Sequence, residues 1–384
     1  MKLLHISDLH IGKRVHEFSM IEDQKYILDK IVIIAKEERA EGVIIAGDIY
    51  DKSVPSAEAV QVFDRFLTRL AEMGMKVFAV SGNHDSAERI AFGSQLMKGQ
   101  GVHLSPVYDG DVKKVVLWDA HGEICVYLLP FIKPALVRHV LEGEQEAEEM
   151  FPESYQEAVK LAIERMNVDT AKRNVLVAHQ FVTGAGRCES EEIVVGGLDN
   201  VDMEVFHEFD YVALGHIHSP QYVGRETVRY CGTPLKYSFS EAQQEKSVTV
   251  VELGEKENVL IHTIPLLPLH DMRIIRGTYL EVTARSFYED MDREDYVQVI
   301  LTDEEDIPDG LRKLRIIYPN LMRLGYDNSR TRQSRNVEAV QEIERKSELE
   351  LFQDFFELQN NRPMSAEQTD LVRRLIETEQ QTLS

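Results

Sequence analysis

Five strand-like apolar runs in this chain each end in a small group of Asp, Asn or His, and that recurrence limits the fold more than any other feature. Leu3 to Ser7 runs into Asp8-Leu9-His10, and Val43 to Ala46 into Gly47-Asp48-Ile49-Tyr50-Asp51. Lys76 to Val80 leads to Gly82-Asn83-His84-Asp85, Asn174 to Ala178 to His179, and Tyr211 to Leu214 to Gly215-His216-Ile217-His218. Layered α/β folds gather ligands just beyond the C-terminal ends of their strands, so the pattern predicts one rim that receives all five groups. Helical periodicity over Tyr26 to Arg39 and Ala57 to Glu72 separates the first three runs. Crossovers of that size predict parallel pairing.

Further strands are expected at Val112 to Leu117, Ile124 to Leu129, Thr227 to Tyr230 and Ser247 to Leu253. The total exceeds one modest sheet, so the fold class read from the sequence is α/β, a two-sheet β-sandwich flanked by helices. At roughly 150 residues per domain, 384 residues imply two or three domains, and 43% hydrophobic residues suffice for their cores. After Pro265 and Pro268 the texture changes. Strands are expected at Ile274 to Val282, Tyr296 to Leu301 and Arg315 to Leu324, with helical segments near Arg285 and Gly310. We divide the chain into 1–268, a small α+β capping domain 269–335, and a C-terminal helical segment 336–384. The last holds two amphipathic helices, one with Leu349, Phe352, Phe355 and Phe356, the other with Leu371, Val372, Leu375 and Ile376 after Ser365 as N-cap and Gln368 three residues on. They suit docking on a partner's coiled coil, with a hairpin folded onto its own domain as the less favoured alternative.

Taken together, the donors are carboxylate, amide and imidazole, without a thiolate. That set selects manganese, iron or catalytic zinc over a structural zinc or an iron–sulfur cluster. Six or seven donors are too many for one catalytic ion, and they suit two ions about 3.5–4 Å apart. Gly47, Gly82 and Gly215 are expected to permit the turns that aim the next side chain at the rim. Asp51 and Asp85 are expected either to orient a histidine or to cap the following helix. Cys125, Cys188 and Cys231 have no paired spacing, which leaves no disulfide framework and fits a reducing compartment. The start lacks signal-peptide character and no apolar run approaches the about 18 residues of a membrane span, so a cytoplasmic protein without a membrane partner is expected.

The formal charge of −23 argues against a simple cationic nucleic-acid module. The excess is local, however. Residues 140–164 contain eight Glu and one Lys, and 281–310 contain eleven acids and two bases. Residues 311–335 reverse the sign, with seven Arg and Lys against Asp327. Arg312, Lys313, Arg315, Arg323 and Arg330 are candidate DNA contacts, and a plain basic linker would read the same way. Arg187 and Lys236 are weaker candidates for phosphate contact.

In this order, D-x-H, G-D-x-x-D, G-N-H-D, H and G-H-x-H resemble the motifs of the calcineurin-like metallophosphoesterases. Within that family, His179-Gln180-Phe181-Val182-Thr183-Gly184, the stretch Phe209 to Ser219 and the stretch Gly232 to Glu241 are similar to the bacterial DNA nuclease subunits that work with an SbcC-type coiled-coil ATPase. The resemblance implies that Asp8, His10, Asp48 and His218 hold one manganese, and that Asp48, Asn83, His179 and His216 hold the other. It implies that His84, not itself a ligand, stabilises the phosphorane and protonates the leaving oxygen. It further implies cleavage of double-stranded and hairpin DNA, in repair, recombination and replication, by a homodimer within a heterotetramer. Lys52-Ser53 replaces the Arg-Gly that follows G-D-x-x-D in protein Ser/Thr phosphatases. The competing reading is a stand-alone phosphodiesterase for cyclic nucleotides or small phosphoesters, which leaves residues 270–384 without a task.

Overall fold

The computed structural model describes residues 1–142, 151–186, 188, 190–191, 200–329, 331, 364–365, 368–369 and 372. Two compact units result, one comprising Met1–Ile275, Thr283–Val299 and Asp309–Leu324, the other Arg276–Val282, Ile300–Pro308 and Gly325–Ser384.

The first unit begins β1 (Lys2–Ile6), α1 (Ile21–Glu37), β2 (Gly42–Ala46), α2 (Ala57–Glu72), β3 (Lys76–Val80) and β4 (Val102–Leu104). There follow β5 (Lys113–Asp119), β6 (Gly122–Leu129), α3 (Pro134–Glu142), α4 (Tyr155–Arg165), β7 (Arg173–His179), β8 (Tyr211–Gly215), β9 (Gln221–Val223), β10 (Arg225–Tyr230), β11 (Ser247–Leu253) and β12 (Val259–Pro265). One sheet has the order β12-β11-β1-β2-β3-β4 and the other β9-β10-β8-β7-β6-β5. β1 to β4 are parallel, as are β6, β7, β8 and β10. Antiparallel β11 and β5 flank these parallel centres.

Period-2 alternation explains the layers. In β2, Val43 and Ile45 join the core under α1 and α2, while Ile44 and Ala46 face the core between the sheets. In β7, Leu176 and Ala178 join the core under α3 and α4, and Val175 and Val177 meet Ile44 and Ala46 in the middle. Strands buried on both faces read as continuous apolar runs, and that is why they are visible in the sequence.

Glycine sets how closely the chain approaches itself at the rim, between the sheets at Gly215 and between neighbouring loops of one sheet at Gly82. A Cβ on Gly215 would stand 1.8 Å from the Ala46 carbonyl oxygen, and one on Gly82 would stand 2.1 Å from Asp48 Oδ1. Gly47 alone of the three has a left-handed backbone, with φ of 88°. The turn role expected for all three therefore holds at Gly47, whereas Gly82 and Gly215 are required by close approach.

Three element boundaries differ from expectation. α1 begins at Ile21 rather than Tyr26, because Asp23 and Gln24 are polar but buried and interrupt the apolar period. Asp23 accepts from His270 Nδ1 at 3.0 Å and from the Tyr296 hydroxyl at 2.7 Å. The strand expected over Ile274 to Val282 stops at Gly277, and Tyr279–Thr283 is helical. A reciprocal cap made by Thr278 and Glu281 turns the chain there. The strand expected over Arg315 to Leu324 is a turn followed by Leu321–Tyr326, since Pro319 interrupts the β-branched run. Met272–Gly277, Tyr296–Leu301 and Leu321–Tyr326 form a three-stranded sheet in that order. Tyr155–Arg165 is capped by Ser154, whose hydroxyl forms a capping box with Glu157. At the C-terminus, the Gln368 amide donates to Ser365 Oγ at 3.3 Å.

Gly215→Ala is expected to cost at least about 2 kcal/mol of stability by forcing the sheets apart. Gly325→Ala, where an added Cβ meets nothing within 4 Å, should stay within about 0.5 kcal/mol. Denaturant unfolding of both variants checks the contrast.

Candidate metal centre

The C-terminal ends of β1, β2, β3, β7 and β8 open on one rim, so the five polar groups come together. Asp8, Asp48, His10, His179 and His218 are each at most 2% exposed and His216 8%, while Asn83 and His84 are half-buried. Backbone bonds stitch the loops, with the Asp8 amide donating to Gly47 O at 3.0 Å and the His10 amide to Asp48 O at 2.9 Å. Asp8, His10, Asp48 and His216 all adopt positive φ, between 44° and 100°. Non-glycine residues are strained there, and such strain persists where surrounding structure imposes it.

Three groups of donor atoms lie within 4.8 Å of one another: Asp8, His10 and His218; Asp8, Asp48 and His179; and His10, Asp48 and His84. His179 donates its Nδ1 proton to Ala46 O at 2.8 Å, which leaves Nε2 facing Asn83 Oδ1 at 2.9 Å and Asp48 Oδ2 at 3.4 Å. His216 Nδ1 stands 3.1 Å from the same Asn83 oxygen. His10 Nε2 and His218 Nε2 face each other at 3.2 Å. Two imidazole nitrogens so close, with carboxylates beside them, form the hard and borderline donor set that divalent cations take. The His and Asp groups are thus compatible with a binuclear metal site.

The electrostatics agree. Burial opposes charge on Asp48, yet His179, His10 and His84 around it hold its carboxyl well below the usual range. Burial likewise opposes charge on His179, but Asp48 lifts it to about 9. Burial pushes Asp8 up and His10 well down. Such a buried carboxylate pair demands compensating positive charge, which is the kind of charge that divalent ions bring.

His84 sits at the rim beside the donors. Its Nδ1 donates to Asp51 O at 3.1 Å, its backbone amide donates to Asp48 Oδ1 at 2.9 Å, and its Nε2 is 3.9 Å from Asp48 Oδ2. Asp51 thus orients His84 through its backbone carbonyl, while its carboxylate pairs with Lys13 at 2.8 Å. Among the described residues, the Asp85 carboxylate bonds to loop amides rather than to a histidine or a helix end. It accepts from the amides of Gly82, Ile49 and Tyr50 at 2.9–3.0 Å and so locks the β2 loop to the β3 loop. The helices that follow are capped by Ser56 and Ser86. Lys236 is held by Asp271 at 2.8 Å, and Arg187 lies outside the described residues.

The sequence reading missed a brace behind His218. Its Nδ1 donates to Ser190 Oγ at 2.7 Å, and Ser190 donates to Glu241 Oε1 at 2.5 Å. Lys246 neutralises the other Glu241 oxygen at 2.6 Å and donates to His218 O at 2.9 Å. Burial alone would raise Glu241, but His218 and Lys246 overcome it and hold the carboxyl down to about 2. The local sequence contains no periodic or spaced signal for this brace. Phe131 is a second omission; its ring stacks on His216 at 16° and lines the rim.

Arg312, Lys313, Arg315 and Arg323 are exposed on the first unit, whereas Arg330 lies outside the described residues, as do Leu349, Phe352, Phe355, Phe356 and Leu375. No described helix is long and apolar enough to cross a membrane.

Residues 1–220 match the calcineurin-like phosphoesterase family, and residues 268–360 match the type 5 capsule protein repressor C-terminal domain family. The SbcD subunit of the nuclease SbcCD from Staphylococcus epidermidis is 30% identical over 380 residues, covering 98% of each chain. The chain belongs to the SbcD family of calcineurin-like phosphoesterases. The corresponding subunit of Staphylococcus saprophyticus is 32% identical over 84% of each chain. Among solved structures, a dimetal phosphatase from Danio rerio is 11% identical, with a TM-score of 0.43 over 70% of this chain and 96% of that one. A protein of Thermus thermophilus is 14% identical, with a TM-score of 0.38 over 68% of this chain and 98% of that one.

Glu241→Gln is expected to weaken Mn²⁺ binding about 10- to 100-fold, because His218 loses the charge behind its ligating face. Calorimetric titration of the purified chain with Mn²⁺ measures the change.

Proposed function

We propose that this protein is the nuclease subunit of an SbcCD-type complex, hydrolysing phosphodiester bonds at double-strand ends and hairpins together with an SbcC-type ATPase. The observation that carries the reading is the convergence of all seven sequence-predicted donors and His84 on one rim, in a chain matched almost end to end by named SbcCD nuclease subunits. Asp8, His10, Asp48 and His218 would hold one divalent ion, and Asp48, Asn83, His179 and His216 the other, manganese being the proposed metal. When bound, the pair supplies the acidified water and the neutralising charge that in-line phosphodiester hydrolysis requires.

The chain's own residues supply the rest. Asp48 and the imidazoles fix the donor geometry, since their rotamers are locked by the Ala46, Asn83 and Ser190 bonds. His84 is accessible from solvent, and the Asp51 carbonyl on Nδ1 leaves Nε2 directed into the rim. There it can stabilise the crowded phosphorus and hand a proton to the leaving oxygen. Phe131 shields one side from water.

Residues 1–268 would form the nuclease domain, 269–335 the capping and DNA-contacting domain with Arg312, Lys313, Arg315, Arg323 and Arg330, and 336–384 the segment that docks the partner. Leu349, Phe352, Phe355, Phe356 and Leu375 support that docking by their apolar spacing in the sequence alone. The three free cysteines fit a reducing cytoplasm, and a homodimer within a heterotetramer is the proposed assembly. A stand-alone small-phosphoester phosphodiesterase gives no account of residues 268–360, which match a separate family.

Incubation of the purified chain with Mn²⁺ and a hairpin-ended duplex, with and without the partner ATPase and ATP, tests the reading. Partner-stimulated cleavage is expected; hydrolysis of small phosphodiesters alone would overturn it. His84→Ala should retain both ions by calorimetry and lose about 10²- to 10⁴-fold in cleavage rate. Loss of metal instead would make His84 a ligand.

A further inference from the structure

A second concentration of positive charge lies at the edge of the sandwich, where β4 ends one sheet and β5 ends the other. An open concavity of about 840 Å³ is lined there by Lys76, Lys98, Lys113 and His103, with Asp109 as the acidic group among the lining residues. In a chain carrying −23, exposed cations normally find carboxylate partners; among the described residues, none of these three lysines is ion-paired. Lys113 Nζ donates to Leu104 O at 2.9 Å, which anchors it over β4 without neutralising it.

His103 is the second observation. It is 8% exposed, stacks on Phe78 with ring centroids 5.5 Å apart at 9°, and its buried Nδ1 has no hydrogen-bond partner. A buried polar atom left unsatisfied is costly, and in the Nδ1–H tautomer this one could donate to an anion held in the cavity. Burial, and then the charges of Lys113, Lys98 and Lys76, push this imidazole down to about 4. Burial and Lys98 likewise lower Lys113. Lys113 and Lys98 therefore repel each other with no ion-paired carboxylate beside them among the described residues, and an anion between them would relieve that repulsion.

We propose that this groove binds phosphate groups, either of a DNA backbone running along the sheet edge or of a free nucleotide. Three ammonium groups match a phosphate monoester or successive diesters, which lysine binds as a point charge. The lysines come from the start of β3, the turn before β4 and the start of β5, so the fold and not one flexible segment assembles them. None of these residues belongs to the metal centre, and the inference does not rest on the nuclease reading.

The test uses the full-length protein stripped of metal with EDTA, so that the rim has no ions with which to bind phosphate. Inorganic phosphate, a deoxynucleoside 5′-monophosphate and a 20-base-pair duplex are each titrated while the His103 ring resonance is followed by NMR, assigned with His103→Gln. Saturable movement of that resonance is expected with at least one ligand, at least tenfold weaker in Lys98→Gln/Lys113→Gln. Duplex binding whose log–log salt slope falls by about two in the double variant assigns the groove to the backbone. Movement with the mononucleotide alone assigns it to free nucleotides. A resonance unmoved by all three, or affinities unchanged in the double variant, overturns the proposal. Unchanged Mn²⁺ binding by the double variant establishes that it is folded.

Discussion

The site depends on one contact between two sheets. His179, at the end of β7, gives its Nδ1 proton to the Ala46 carbonyl at the end of β2, and Gly215, at the end of β8, presses against that same oxygen. This fixes the ring's orientation, since a proton committed to a carbonyl on Nδ1 leaves Nε2 as the atom that faces Asp48 and Asn83. It also brings strands from separate sheets within side-chain reach, so that donors separated by 208 residues, His10 and His218, stand 3.2 Å apart. A thicker residue at Gly215 would separate the two halves of the centre.

Once the sheets are held so closely, the burial of charge becomes the controlling cost. Two carboxylates and four imidazoles occupy a nearly dry rim, and in low dielectric no such set is stable without matched charge. The protein answers in layers. Asp48 is balanced by the imidazoles around it, His218 is backed by Ser190 and Glu241, and Glu241 is backed by Lys246, itself 5% exposed. Asp85 is spent differently, on three backbone amides that would otherwise be unsatisfied donors where the two loops meet. Each layer therefore fixes the orientation of the one in front.

This layering explains what the sequence could and could not reveal. The donors were legible because each follows a doubly buried strand, and an abrupt change from apolar run to Asp or His is a local signal. Glu241 and Lys246 were not, because their meaning arises only where a short turn after β10 folds back onto His218. Asp23 and Gln24 lie ahead of the helix expected from Tyr26, and both are buried in its first turn because they bond to His270, Tyr296, Tyr237 and the His10 carbonyl. Local pattern predicts a boundary only where polar residues face water. Thr278 and Glu281 are the opposite case, a local capping signal present in the sequence that the β-branched texture around Ile274 obscured.

Net charge proves a poor guide to where phosphate can bind. The value of −23 is dominated by two acidic segments, 140–164 and 281–310, and salt screens the field of solvated charges within about 8–10 Å. What matters at short range is whether a cation already has a partner. Lys13, Lys236 and Lys246 are numerically as positive as Lys76, Lys98 and Lys113, but each is committed to a carboxylate, Asp51, Asp271 or Glu241. The first three stiffen the catalytic half of the fold and are unavailable to a ligand without breaking an ion pair. The second three have no carboxylate at ion-pair distance among the described residues, although Asp109 lines the same groove. An acidic protein can therefore hold phosphate wherever its fold, rather than its composition, leaves cations unpaired.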